Sequence, residues 1–231
     1  MDLLVDHPFG EALAEAAVPA WCHGVWQRER LAWPEGEDRT TRVLWIQTPL
    51  LFADLRCPPP GKTGPEQGFA GHLLVSGRIC AWQRPLDLQP PQGPGDAGAM
   101  YRDGTWMLEC GIHDNYIEDW RQVADGSSHL AATRGAVGMA DGEIVWPAEG
   151  LLEILVACGG HVVHAVRDGA TASLRYGRFD AASGLMTRQW SVGSRSAAVA
   201  ASTPWTVWHG AMKPVARGAL LGSVEALMPG T

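Results

Sequence analysis

Lysine is nearly missing from this chain. Only Lys62 and Lys213 occur among eighteen basic residues, the rest being arginine, and the formal net charge is −7 over 231 residues. A surface of that sign does not release counterions from a phosphate backbone, which excludes nonspecific nucleic-acid binding. The five cysteines, Cys22, Cys57, Cys80, Cys110 and Cys158, are odd in number, widely spaced and without a CxxC pair. Neither a disulfide framework nor a zinc knuckle follows, and reduced, partly buried thiols are expected. No run approaches the ~20 apolar residues of a membrane helix. The opening MDLLVDHPFGEALAEAAVPAW has no basic stretch ahead of its apolar residues and is interrupted by acids, unlike a secretory signal. A cytoplasmic protein without a membrane partner is expected. GxSxG elbows, Walker loops and dinucleotide fingerprints are also missing, which leaves serine hydrolysis and nucleotide-driven chemistry without support.

Tryptophan, in contrast, is abundant. Eleven are spread about one per short segment from Trp21 to Trp208. Indoles fill cores, and they also line concave surfaces that hold flat or greasy ligands.

The punctuation predicts mostly strands. Residues 8–20 read as a short helix, with Pro8 near its start and Pro19 at its end. From there GVWQRERLAWP, TTRVLWIQTP and LLFADLRCP are short segments bounded by Pro, Gly or acidic turn residues. GHLLVSGRICAWQR, AMYRDGTWMLECG and NYIEDWRQV continue the pattern, and similar segments recur to SAAVAASTPWTVWHG. The Pro/Gly stretches 58–68 and 89–98 read as loops of the kind that form lids or rims. Asp-Gly steps at 103–104, 125–126, 141–142 and 168–169 are hairpin-type signals. Without βαβ spacing, such a chain is expected to be all-β, as two packed antiparallel barrels. The first unit would cover the N-terminal helix and a barrel over residues 1–125, and the second a barrel over 126–231, with the junction at 124–129.

Several short stretches carry a family resemblance: FADLR at 52–56, FAG at 69–71, ICAWQRPLD at 79–87, DAGAMY at 96–101 and the end of NYIEDW at 115–120, with SLRYGR at 173–178 in the second half. On these the chain resembles the fungal Hri family of casein-kinase-interacting proteins, over about half its length. The resemblance implies a tandem of lipocalin-like barrels and carries no catalytic assignment.

Alternation along the strands nominates site residues. In LLFADLRCP, Phe52, Asp54 and Arg56 share one face and Leu51, Ala53, Leu55 and Cys57 the other. If the first face looks outward, Asp54 and Arg56 form an ordinary surface pair; if it lines a cavity, Arg56 anchors a carboxylate or carbonyl and Asp54 holds it. Trp45 with Gln47, and Trp82 with Arg84, each place an indole two residues before a polar group, as in a pocket with an aromatic wall and a polar end. Glu109, His113, Tyr116 and Glu118 form the densest titratable cluster near apolar surface, with Trp106 and Trp120 beside it. A buried carboxyl there would have the raised pKa of a general acid or base. His161 and His164, three apart, fall on opposite faces of a strand and do not share a metal. As single axial haem ligands, His72, His161 and His164 are the candidates.

The expected function is binding of a small hydrophobic or aromatic molecule, with Trp45, Trp82, Trp106 and Trp120 stacking and Gln47, Asp54, Arg56, Arg84 and Glu118 fixing a polar end. The alternative is a cofactor-independent isomerase, cyclase or hydratase using Glu109, His113 and Tyr116 in acid/base roles. No metal or cofactor is expected, and a homodimer is left open.

Overall fold

A computed structural model describes residues 4–6, 17–57, 66–90, 93–193 and 204–226. Most of the expected helix 8–20 lies outside the described residues; of its end, residues 17–19 are irregular, and a short 3-10 turn spans Ala20–Cys22.

Strand β1 (Leu4–Asp6) belongs to the second of two sheets. The first sheet comprises β2 (Gly24–Trp33), β3 (Gly36–Asp38), β4 (Arg42–Gln47), β5 (Leu51–Cys57), β6 (Gln67–Ser76), β7 (Ile79–Asp87), β8 (Ala97–Asp103), β9 (Trp106–Gly111) and β10 (Ile117–Ala124). Apart from β3, which is a flap on the end of β2, each strand pairs antiparallel with the next, and β10 returns to pair with β2. The result is a closed, eight-stranded, up-and-down barrel with no free edge. The wall is thinnest between β7 and β8, whose ladder ends at Ala81 and Ala97.

The second sheet runs β1, β18 (Trp205–Gly210), β11 (His129–Gly135), β14 (Leu152–Cys158), β15 (His161–Asp168), β16 (Thr171–Asp180) and β17 (Leu185–Gly193). A separate hairpin, β12 (Gly138–Ala140) and β13 (Glu143–Val145), follows β11. The sequence leads one to expect a second cylinder here; among the described residues no pairing joins β17 to β1. One of its faces is covered by the helix α1 (Pro214–Ala226), which buries Leu220, Leu221 and Val224 against Leu130, Leu155, Val162 and Trp205.

Period-two alternation decides where each side chain goes. Even-numbered Trp26 and Phe52, with Val43, Trp45 and Phe69, point into the barrel. Their immediate neighbours Val25, Leu44, Ile46, Leu51, Ala53, Leu55 and Ala70 point outward and pack against Ile154, Val156, Val163, Ala165 and Leu174 of the second sheet. The barrel wall is therefore apolar on both faces where the two sheets meet.

Three of the four Asp-Gly steps are hairpin turns: Gly104, Asp141 with Gly142, and Gly169 all have positive φ. The fourth, at 125–126, instead links β10 to β11, which lie in different sheets. GHLLVSGRICAWQR, read as one segment, is broken at Gly77 (φ 61) into β6 and β7.

Because both sheets share one apolar layer, Ile154→Ala is expected to cost about 2–5 kcal/mol and to loosen the barrel as well as the second sheet. In chemical denaturation followed by tryptophan fluorescence and by circular dichroism, the two signals should move together to lower denaturant; separate transitions would show that the sheets fold independently.

Candidate functional site

The barrel interior has two unlike ends. At one end Trp45 sits among three other indoles, with ring centroids 6.3 Å from Trp26, 5.9 Å from Trp82 and 5.8 Å from Trp120. Cys22, Leu73, Cys80, Met100 and Met107 fill the remaining space. Gln47 belongs to this packed end: it accepts from Trp45 Nε1 at 3.2 Å and donates to the Thr48 carbonyl at 2.8 Å, which satisfies both halves of its amide. Two of the indole contacts are edge-to-face and the one with Trp26 is stacked, arrangements in which indoles pack closely.

The other end opens into a cavity of about 400 Å³ whose wall includes Leu31, Trp33, Arg56, Arg84, Asp96, His113, Tyr116 and Glu118. Arg56 and Asp54 come from β5, whose outer face is clamped against the second sheet; the pair therefore faces inward. Arg56 Nε donates to Asp54 Oδ1 at 3.0 Å, and its guanidinium lies 5.2 Å from the Phe69 ring centre. Among the described residues its two terminal nitrogens bond to nothing, and the side chain keeps 24% of its exposure, toward the cavity. Burial alone would lower its pKa, but Asp54 and Glu118 outweigh burial and push it up. Arg84, 3.5 Å from the same Phe69 ring, is pinned by Asp87 at 3.5 Å and by Asp96. Among the described residues its buried Nε has no partner.

On the opposite wall, Arg28 of β2 holds Glu118 at 2.7 Å and Asp38 of the β3 flap at 3.1 Å. Glu118 thus uses Oε1 and leaves Oε2 without a described partner. Behind it, Glu109 accepts from the Tyr116 hydroxyl at 2.7 Å and from Trp120 Nε1 at 3.0 Å. Burial first, and then the charge of Glu118, raise the Glu109 carboxyl to about 8, against the lowering pull of those two donors and Arg56. Burial and Glu109 together push the Tyr116 hydroxyl well up, so it stays a donor across the ordinary pH range.

Two glycines make room for this pair. A Cβ on Gly98 would sit 2.7 Å from Glu109 Cγ, and one on Gly111 would sit 2.5 Å from the Tyr116 ring. They face each other in the β8–β9 ladder, so one small cross-strand pair seats both functional side chains.

The structure therefore brings together Asp54, Arg56, Arg84, Glu109, His113, Tyr116 and Glu118 at the mouth. Trp45, Trp82 and Trp120 form the packed floor beneath, and Gln47 lies within that floor. Trp106 stands apart: it is 50% exposed and does not line this cavity. Sequence reasoning missed Arg28, Leu31, Trp33, Asp38, Asp87 and Asp96. Asp96 belongs to the Pro/Gly loop read as a rim, and the alternation of β2 would have placed Arg28 with Trp26, but only the pairing of β10 with β2 sets Arg28 beside Glu118.

Of the histidines considered as haem ligands, each has a nitrogen engaged: His72 Nδ1 accepts from Trp146 at 2.9 Å, His161 bonds the Tyr176 hydroxyl at 2.9 Å, and His164 meets Glu153 at 2.8 Å. Burial lowers all three, His72 and His161 to about 4. Among the described residues no group of three His, Cys, Asp or Glu side chains is arranged to hold a metal ion.

The raised Glu109 carboxyl makes the stability of the fold depend on pH. Its folded pKa of about 8 exceeds the ordinary 4.5, so the folded state holds the proton more tightly. That contribution is fully present below 4.5 and is lost as pH rises through about 8. Denaturation midpoints measured from pH 5 to 9 should fall faster in the wild type than in Glu109→Gln; parallel curves would show that Glu109 is already ionised at pH 5.

No protein-family model, curated protein or solved structure matches this chain, so its function is read from the site itself.

Proposed function

We propose that the protein is a lipocalin-like binder of small molecules, acting in the cytoplasm, which takes the apolar part of its ligand against Leu31 and Trp33 and fixes a polar group at the barrel mouth. The observation that carries this is the Arg56 guanidinium, braced at Nε by Asp54 and with its terminal nitrogens turned to a cavity of about 400 Å³. A planar fork held in place at one edge is a pre-organised recognition element, because little side-chain entropy is lost when its other nitrogens close on an oxygen. The cavity is of the size that small-molecule sites have, and its polar groups, Arg56, Tyr116 and Glu118 among them, converge on it.

One observation favours a second reading, catalysis. Tyr116 lines the cavity while donating to Glu109, so the hydroxyl connects a buried carboxyl of raised pKa to whatever occupies the mouth. When Glu109 carries the proton it can donate to the Tyr116 oxygen while Tyr116 gives its own hydrogen to a bound molecule. The Glu109 carboxylate so formed then takes a proton, through Tyr116, from another atom of the ligand or from an added water, which balances an isomerisation or hydration by general acid/base action.

Native mass spectrometry of the protein purified from its own host tests the binding reading, since a ligand fixed at the mouth is expected to travel with it. Arg56→Lys keeps the charge but removes the fork, and should weaken that ligand about tenfold, as one lost charge-assisted hydrogen bond does; unchanged affinity would remove Arg56 from the site. Glu109→Gln separates the two readings. A binder keeps its affinity and shows no turnover in either form, whereas an enzyme keeps affinity and loses turnover.

A further inference from the structure

The charges around the mouth restrict what it accepts, and here the inference rests on the binding reading above. Three guanidiniums, Arg28, Arg56 and Arg84, meet five carboxylates, Asp38, Asp54, Asp87, Asp96 and Glu118, before Glu109 behind them and Asp114 on the rim are counted. The mouth is acidic overall. Among the described residues, the open groups facing this cavity nevertheless include both a donor and an acceptor. Arg56 offers two unbonded donors, and Glu118 offers an unbonded acceptor at Oε2, on a side chain that is only 4% exposed. Both line the same cavity, and they form no ion pair with each other.

Each class of ligand can be weighed against that pair. A simple carboxylate would satisfy Arg56 but adds negative charge to a cluster already in excess, and it has no hydrogen to give Glu118. A cation would suit Glu118 but has no acceptor for Arg56, and would shut its terminal nitrogens away from water with nothing to bond. A purely apolar molecule would strand both groups. An uncharged group carrying a carbonyl oxygen next to an N–H meets both demands at once, with oxygen accepting from Arg56 and nitrogen donating to Glu118. We infer that the mouth recognises an amide, lactam or urea carried on a small apolar or aromatic body, bound between the Arg56 fork and Glu118 Oε2.

The experiment is a fragment screen on the intact protein, read by NMR at the Trp33 and Tyr116 signals, with a library that holds matched aryl carboxamides, aryl carboxylates and N,N-dimethyl amides. Carboxamides are expected to bind at the mouth, and both exchanging the amide for an acid and methylating its nitrogen are expected to weaken binding about tenfold or more. If the carboxylates or the dimethyl amides bind there as well as the parent amides, the ligand class is wrong while the binding reading stands. If no fragment of any class perturbs the mouth, the binding reading itself fails and this inference with it.

Discussion

The strand Leu51–Cys57 is buried on both sides, and that double burial fixes the rest of the molecule. Its Leu51, Ala53 and Leu55 are held in the layer between the two sheets, so Phe52, Asp54 and Arg56 have nowhere to point but into the barrel. An arginine driven inside needs a partner, since an unpaired buried charge costs several kcal/mol. Asp54, two residues away on the same face, supplies it. Once Arg56 is braced at one edge only, its remaining nitrogens look toward the mouth. The apolar contact between sheets thus determines the chemistry of a site on the far side of the strand.

The same logic explains why the barrel is solid at one end and hollow at the other. Indoles are large and mutually complementary, and Trp45 with the three around it consumes the interior volume at the floor. At the mouth the inward positions are taken by arginines and acids, which hold one another at hydrogen-bond distance and cannot interdigitate as apolar side chains do. Beyond the short β7–β8 ladder the wall is continued by the Trp82 N–H to Asp96 carbonyl bond and by the Arg84–Asp96 ion pair, which puts charged groups beside the cavity. Space therefore appears where polar groups need it, and the tryptophans act as its floor.

Much of this was legible in the sequence. Alternation alone put Phe52, Asp54 and Arg56 on one face, and proximity alone grouped Glu109, Tyr116 and Glu118, all of which the fold gathers at one end. What alternation cannot give is the end of the barrel at which a side chain lies. Gln47 and Arg84 both follow a tryptophan by two residues, yet one is sealed in the floor and the other stands at the mouth, because their strands run in opposite directions. Trp106 was assigned to the cavity from its composition and neighbours, but it occupies the outward phase of β9 at its exposed start. Arg28 and Asp38 were missed because their role depends on a pairing between strands about ninety residues apart, which closes the barrel and leaves no local mark. Nor did the strand pattern show that α1 would cover one face of the second sheet.

The most direct test of this account is the solvent exchange of arginine side-chain hydrogens in the ligand-free protein, followed by ¹⁵N NMR. Arg28, with both terminal nitrogens bonded to Glu118 and Asp38, should show slow exchange, while the terminal hydrogens of Arg56 should exchange rapidly although its Nε hydrogen, bonded to Asp54, is protected. Terminal Arg56 hydrogens as protected as those of Arg28 would mean that the fork is already filled from within the protein, and the mouth would then have nothing to offer a ligand.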